Sequence, residues 1–258
     1  MLSVRAVIFT DMDGTLLDHA DYSWAPAKGA LKRCEREGVV VVPTSSKTRA
    51  ELMLWLKKLS LQAPIISENG AGAFPGTLTD GRELFTDELG CEAAKVFCVP
   101  IQKVRAAIEE LRSRIPGKLI NFGQMDLQEI IEHTGLPENE AQLAAERDFD
   151  EPFLWEPEPD PEELSEVSMH FAEHGLVMTR GGRFWHLMGG CDKSVAVRWM
   201  KKNLFAPGTP TLALGDAPND MGMLAAVDKG ILMDEDDRGP KRWAREVLLW
   251  LDELKEKK

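Results

Sequence analysis

With 258 residues and a formal charge of -12, the chain has length for one large domain or two smaller ones and lacks the basic surface expected of a nucleic-acid binder. A hydrophobic content of 43% suits a buried core. Cys34, Cys91, Cys98 and Cys191 form no Cys-x-x-Cys pair, which argues against a zinc site or redox pair and for small buried hydrophobes in a reducing compartment. No apolar run reaches membrane-spanning length, and no basic stretch followed by an apolar segment and cleavage site opens the chain. The expectation is a soluble, cytoplasmic protein with no membrane or nucleic-acid partner.

The first elements alternate. Ala6 to Thr10 is an apolar run that reads as a buried parallel strand. Pro26 to Glu37 reads as a helix with Pro in its first turn and Gly38 as its stop. Val39 to Pro43 is a second strand, Lys47 to Leu59 a second helix with Leu52, Leu56 and Leu59 on one face, and Pro64 to Ser67 a third strand. Strands separated by helices imply parallel pairing, with ligands beyond the carboxyl ends of the strands. Asp11, Ser45 and Glu68-Asn69-Gly70 fall at those ends.

The middle has a different grammar. Ala73-Phe74 and Glu83-Leu84-Phe85 flank a Gly- and Thr-rich turn as in a hairpin. Val96 to Val99 reads as a strand, Ile101 to Ile115 as a helix, and Asp126 to His133 and Pro137 to Arg147 as two short helices. Glu151 to Glu156 reads as a strand and Glu162 to His174 as a helix. Leu176 to Thr179 and Arg183 to Met188 form a hairpin around Gly181-Gly182. The alternating pattern then returns: a helix from Asp192 to Asn203 with Asp192 as N-cap, a strand Thr211 to Gly215, a helix Asn219 to Val227, a strand Gly230 to Met233 and a helical tail from about Lys241. The fold class is therefore α/β: a doubly wound, parallel-sheet (Rossmann-like) core of residues 1–82 and 189–258, with an inserted α+β cap at 83–188.

Four separated strings carry chemistry. The first is Asp11-Met12-Asp13-Gly14-Thr15. Two carboxylates at a rigid strand end can divide attack and proton transfer between them, and Gly14 supplies the turn. A calcium loop would need Glu at its twelfth position, and Tyr22 stands there. The second is Thr44-Ser45-Ser46-Lys47, where a hydroxyl and helix-start N–H groups can hold a phosphate oxygen, although the same hydroxyls are ordinary helix caps. The third is Lys193, a cation at a helix start where the dipole disfavours it. That conflict suggests pairing with anions. The fourth is Gly215-Asp216-Ala217-Pro218-Asn219-Asp220. Carboxylates gathered at neighbouring strand ends repel unless a hard cation such as Mg²⁺ sits among them. Asp220 serves equally as a helix-dipole partner.

In this order the four strings resemble the haloacid dehalogenase superfamily of phosphohydrolases, and the insertion resembles the α+β cap of its Cof-like subgroup. The resemblance implies that Asp11 is a nucleophile forming an aspartyl-phosphate and that Asp13 is the acid and base. It implies that Ser45, with Thr44 as the rival placement, holds the phosphoryl group and that Lys193 neutralises charge. Asp11, the Asp13 carbonyl and Asp216 would ligate Mg²⁺, with Asp220 nearby. Many relatives carry Thr-Gly-Arg after the second strand; here the string is Ser45-Ser46-Lys47-Thr48-Arg49, which exchanges a planar fork for a point charge.

That departure, with Ser67-Glu68-Asn69-Gly70 and the string Arg180-Gly181-Gly182-Arg183-Phe184-Trp185-His186, is similar to the family of mannosyl-3-phosphoglycerate phosphatases. The substrate so implied is a small phosphorylated sugar or glycerate. Arg183 and Trp185 would share one strand face and Phe184 and His186 the other, with Arg183 available to a carboxylate and a ring to the sugar. Lys47, Arg49, Glu68 and Asn69 are further substrate-binding candidates at the cleft between core and cap. Other sugar-phosphate phosphatases of the sucrose-phosphate or general phosphosugar type, a phosphomutase, and a non-catalytic sugar-phosphate sensor stay open at this point.

Overall fold

The computed structural model describes residues 4–74, 95–181 and 183–256. In chain order the elements are β1 (Ala6–Thr10), α1 (Lys28–Arg36), β2 (Val39–Pro43), α2 (Arg49–Leu59), β3 (Ile65–Ser67), β4 (Gly72–Phe74) and β5 (Lys95–Val96). There follow α3 (Ile101–Leu111), β6 (Lys118–Asn121), α4 (Leu127–Thr134), α5 (Glu138–Ala145), β7 (Glu151–Glu156), α6 (Pro161–Glu173), β8 (Leu176–Arg180) and β9 (Trp185–Gly189). The chain closes with α7 (Lys193–Asn203), β10 (Thr211–Gly215), α8 (Met221–Ala225), β11 (Lys229–Leu232) and α9 (Pro240–Glu256).

Every residue of β1, β2 and β10 is buried, as their unbroken apolar runs require. They join β11 in a parallel sheet of order β11-β10-β1-β2. Register then decides the site. Thr10 pairs with Leu214 on one side and Pro43 on the other, so Asp11 follows beside Gly215 and Thr44 at a common edge. A bridge from Thr44 to Ile66 brings in β3, which pairs antiparallel with β4, and β4 with β5.

Helix α9 covers this sheet. Trp243, Val247, Trp250 and Leu251 recur at helical spacing on its buried face. Trp243 is wholly buried, and its indole N–H donates to the Thr10 hydroxyl at 2.9 Å; that hydroxyl donates in turn to the Asp11 carbonyl at 2.8 Å.

Besides the small β3-β4-β5 sheet, a second four-stranded sheet is antiparallel, of order β6-β7-β9-β8. Ile108, Phe153, Phe171 and Leu187 pack with α3 and α6 in a core of their own. A smaller cluster of Phe122, Ile130 and Phe184 takes in Tyr22, from the segment after β1. No helix of the described residues is long and apolar enough to cross a membrane.

Several expectations are corrected. The helix expected over 101–115 stops at Leu111, and β6 follows after a 3-10 turn at Arg112–Arg114. Its four residues are too short to show alternation. The strand expected from Arg183 begins at Trp185. The Asn219–Val227 helix reduces to α8 after a 3-10 turn at Pro218–Asp220. Cys98 and Cys191 are joined in a disulfide, Cα atoms 5.8 Å apart across 93 positions, and among the described residues Cys34 alone keeps the role of a buried free thiol. The Glu83-Leu84-Phe85 arm and Cys91 lie outside the described residues.

Replacing Trp243 by Ala empties a large buried volume beneath β1 and is expected to lower the unfolding free energy by about 3–5 kcal/mol. Trp243→Phe, which keeps most of the volume and drops the bond to Thr10, should lose about half of that or less. Urea unfolding of the two variants checks the order.

Candidate active site

Asp11 leaves β1 with its N–H on the Leu214 carbonyl at 2.9 Å. The chain then doubles back at Gly14, with φ +81, where a Cβ would lie 2.5 Å from a carboxylate oxygen of Asp216. Only glycine lets the β1 loop approach the β10 loop this closely. Thr15 fastens the two loops by donating its hydroxyl to Asp216 at 2.8 Å, and Arg238 reaches the other Asp216 oxygen at 3.0 Å.

Lys193, the first residue of α7, is buried to 1% exposure. Its ammonium lies 2.6 Å from a carboxylate oxygen of Asp11 and 2.6 Å from one of Asp220. This answers the conflict noted at its helix start. Burial opposes the lysine charge, but Asp11 and Asp220 outweigh it and hold the ammonium well above its ordinary pKa. Asp220 spends its second oxygen on the N–H groups of Asp216 and Ala217, at 3.0 and 3.1 Å. Asp11 is pushed up by burial, an effect that Lys193 opposes and that Asp220 and Asp216 reinforce.

One carboxylate oxygen each from Asp11, Asp216 and Asp220 fall within 4.8 Å of one another. Three carboxylates against two cations, Lys193 and Arg238, leave one excess negative charge, and oxygen donors of this kind suit a hard divalent cation. Asp11 and Asp216 face the cavity, whereas Asp220 is wholly buried behind them. The Asp13 side chain lies outside this acidic group and pairs with Lys47 at 2.9 Å.

The cavity over Asp11 gathers Asp13, Ser45, Lys47 and Asp216 from one side and Arg183 and His186 from the other. The two hydroxyls differ in direction. Ser45 lines the cavity, whereas Thr44 is buried and donates back to the Val42 carbonyl at 3.2 Å. Lys47 is buried, within 3.7 Å of Glu51 as well as bonded to Asp13, and stands over the Tyr22 ring. Thr48 rather than Lys47 opens α2, in a reciprocal cap with Glu51.

Three other substrate-binding expectations need correction. Arg49 packs its guanidinium over the Phe74 ring and is not part of the cavity wall. Glu68 is wholly buried, and its carboxylate accepts the N–H groups of Asp148, Phe149 and Asp150 at 2.9–3.2 Å. Asn69 donates to Asp150 at 2.9 Å and accepts from Asn219 at 2.9 Å. Both sit behind the cavity because the chain at 68–69 is left-handed and turns their side chains toward the 148–150 loop. Arg183 does line the cavity, but its guanidinium already donates to the Thr134 carbonyl, the Tyr22 hydroxyl and the His19 carbonyl. It precedes β9, so the strand alternation placing it opposite Phe184 does not hold, and Arg183, Phe184 and His186 all face the cavity.

Sequence reasoning missed Tyr22, Arg147, Asp150, Asn219 and Arg238. Arg147 and Asp150 sit in a charged run, Glu146 to Glu151, that has no periodicity to distinguish it from a solvated loop. Both are buried.

A family profile for haloacid dehalogenase-like hydrolases matches residues 8–253, and the chain belongs to that family. A glucosyl-3-phosphoglycerate/mannosyl-3-phosphoglycerate phosphatase of Persephonella marina is 39% identical over 236 residues, covering 88% of this chain and 84% of its own. A protein of the same name from Methanococcoides burtonii is 36% identical over 237 residues, covering 91% and 86%. Among solved structures, one from Thermoplasma acidophilum superposes with a TM-score of 0.63 at 20% identity, covering 98% of this chain and 99% of its own. The sucrose-phosphatase of Synechocystis superposes with a TM-score of 0.57 at 14% identity, covering 97% and 88%. These two likenesses concern the fold.

Burial disfavours charge on Asp150, but His186 and Arg147 outweigh it and hold its pKa below the ordinary carboxylate value. A depressed folded pKa stabilises above the unfolded value, near about 3.9, and that contribution fades as pH falls through the folded value. Asp150→Asn should therefore be less stable than the parent at neutral pH, with the gap closing below about pH 4. Urea unfolding across that range reads the difference.

Proposed function

We propose that the chain is a Mg²⁺-dependent phosphomonoester hydrolase that works through an aspartyl-phosphate on Asp11 and acts on a glycosyl-3-phosphoglycerate, releasing phosphate and the glycosylglycerate. The observation that carries the reading is the Asp11 carboxylate. One oxygen is held by Lys193, and the other has no hydrogen-bond partner among the described residues at the floor of the cavity.

In the first step that free oxygen attacks phosphorus while the bond to the leaving glycerate oxygen breaks. Asp13, two residues on at the cavity wall, delivers the proton to that oxygen. The resulting Asp13 carboxylate then takes a proton from the water that attacks phosphorus, while the phosphorus–oxygen bond to Asp11 breaks, freeing phosphate and the Asp11 carboxylate. The Lys47 ammonium, 2.9 Å from the Asp13 carboxylate, holds that side chain at the cavity wall. Ser45 offers its hydroxyl to a phosphoryl oxygen, and Lys193 offsets the negative charge that the two approaching anions bring together. Asp11 and Asp216, with the Asp13 carbonyl and with Asp220 behind, would hold Mg²⁺, whose charge supplies the remaining electrostatic stabilisation. We take residues 83–188 as the cap over a core of 1–82 and 189–258, closing the cavity against water before the phosphoryl group transfers.

The substrate class rests on the names of the two curated relatives and on the cavity itself. A phosphate seated at Asp11 and Ser45 leaves the glycerate and sugar against Tyr22, Phe184 and His186, a wall of rings and polar groups.

Asp11→Asn should release no phosphate at saturating Mg²⁺ while circular dichroism stays that of the parent. Turnover equal to the parent would remove Asp11 from the chemistry. Across a panel of phosphate esters, kcat/KM for mannosyl- or glucosyl-3-phosphoglycerate should exceed that for simple hexose phosphates by tenfold or more, an order of magnitude that about 1.4 kcal/mol of added transition-state binding supplies. Equal rates on hexose phosphates would defeat the substrate assignment.

A further inference from the structure

Behind the cavity lies a buried polar cluster that the reaction above does not use. Its centre is Asp150, in the loop entering β7 and wholly buried. One Asp150 oxygen accepts from three sources: the Asn69 amide at 2.9 Å, the Arg147 guanidinium at 3.0 Å and His186 Nδ1 at 2.8 Å. Two of these lead to the core side of the cavity. Asn69 accepts from Asn219, which lines the cavity within the 216–220 loop. Arg147 also donates to the carbonyl of Ser46, next to Ser45, at 2.8 Å. The third leads to the opposite wall. His186 on β9 lines the cavity with its Nδ1 occupied, and Nε2 has no hydrogen-bond partner among the described residues. Gly181 keeps that nitrogen open, since a Cβ there would lie 2.9 Å from it.

We propose that His186 binds an oxygen of the non-phosphoryl part of the substrate through Nε2, and that Asp150 is the positioning residue that fixes the imidazole and ties it to the two core loops bearing Ser45 and Asn219. The inference rests on the proposed function and deepens it: it names a specificity contact in the same cavity.

The physical reasoning is direct. The carboxylate on Nδ1 determines which ring nitrogen carries the proton and holds the ring plane. A neutral imidazole would then accept at Nε2 from a sugar or glycerate hydroxyl, and a protonated one would donate to a hydroxyl or carboxylate. The carboxylate–imidazole bond, with Arg147 buried against the same oxygen, costs little further ordering when substrate arrives. His186 is therefore pre-organised toward the substrate from the wall opposite Asp11. A small phosphate ester that fills only the Asp11 end gains nothing from it.

The test compares His186→Ala with the parent on mannosyl- or glucosyl-3-phosphoglycerate and on p-nitrophenyl phosphate. The ratio of the two kcat/KM values should fall about ten- to a hundredfold, the range of one strong hydrogen bond, with the loss on the glycosyl ester residing mainly in KM. His186→Gln, which restores a polar group, should recover part of the ratio. Asp150→Asn should move it in the same direction, because the ring loses its charged anchor. An unchanged ratio, with either equal losses on both esters or no loss on either, would overturn the assignment. If the parent itself does not hydrolyse the glycosyl ester, the proposed substrate fails. A parent that does, with a His186→Ala ratio like its own, sinks the contact alone.

Discussion

The site depends on one ammonium group placed out of reach of water. Lys193 lies between Asp11 and Asp220, contributed by a helix start, a strand end and a loop that are far apart in sequence. An unpaired charge buried to this degree is strongly unfavourable, and the two carboxylates offset it. Burial raises the pKa of Asp11, Lys193 opposes the rise, and Asp220 and Asp216 add to it. Each group lowers the cost of burying the others.

That mutual dependence explains the close tolerances around it. Gly14 brings the loop after β1 against Asp216, and Asp220 folds back to accept the N–H groups of its own loop. These contacts hold three carboxylates close together, and such a cluster of hard oxygen donors is one that could hold a divalent cation. The disposition fits the haloacid dehalogenase-like hydrolase family to which the chain belongs.

The join between the two four-stranded sheets is built on carboxylates as well. Glu68 satisfies three successive N–H groups at 148–150, the last of them buried. Burial pushes the Glu68 carboxyl up, and the Arg147 guanidinium opposes it. Asp150 gathers donors from both sides of the same join. Through Asp150, Asn69 and Arg147 the two walls of the cavity share one connected set of hydrogen bonds.

Apolar runs and their spacing determined the α/β alternation, the strand ends that carry Asp11, Ser45 and Asp216, and the amphipathic helices, because burial of an unbroken strand or a helical stripe is a local property of the chain. The strings around Asp11, Ser45, Lys193 and Asp216 were legible for the same reason: each sits at the end of such an element. What local pattern could not reveal was direction and partnership. Thr44 and Ser45 are adjacent and alike, yet the pleat turns one into the core and the other into the cavity. Glu68 and Asn69 stand at a strand end like their neighbours, and a left-handed backbone sends them away from the cavity. Arg147 and Asp150 look like surface charge until the antiparallel sheet closes over them, and Cys98 meets Cys191 only across the join. Those outcomes depend on contacts between segments distant in sequence, whose energies no local window contains; only the folded chain selects them.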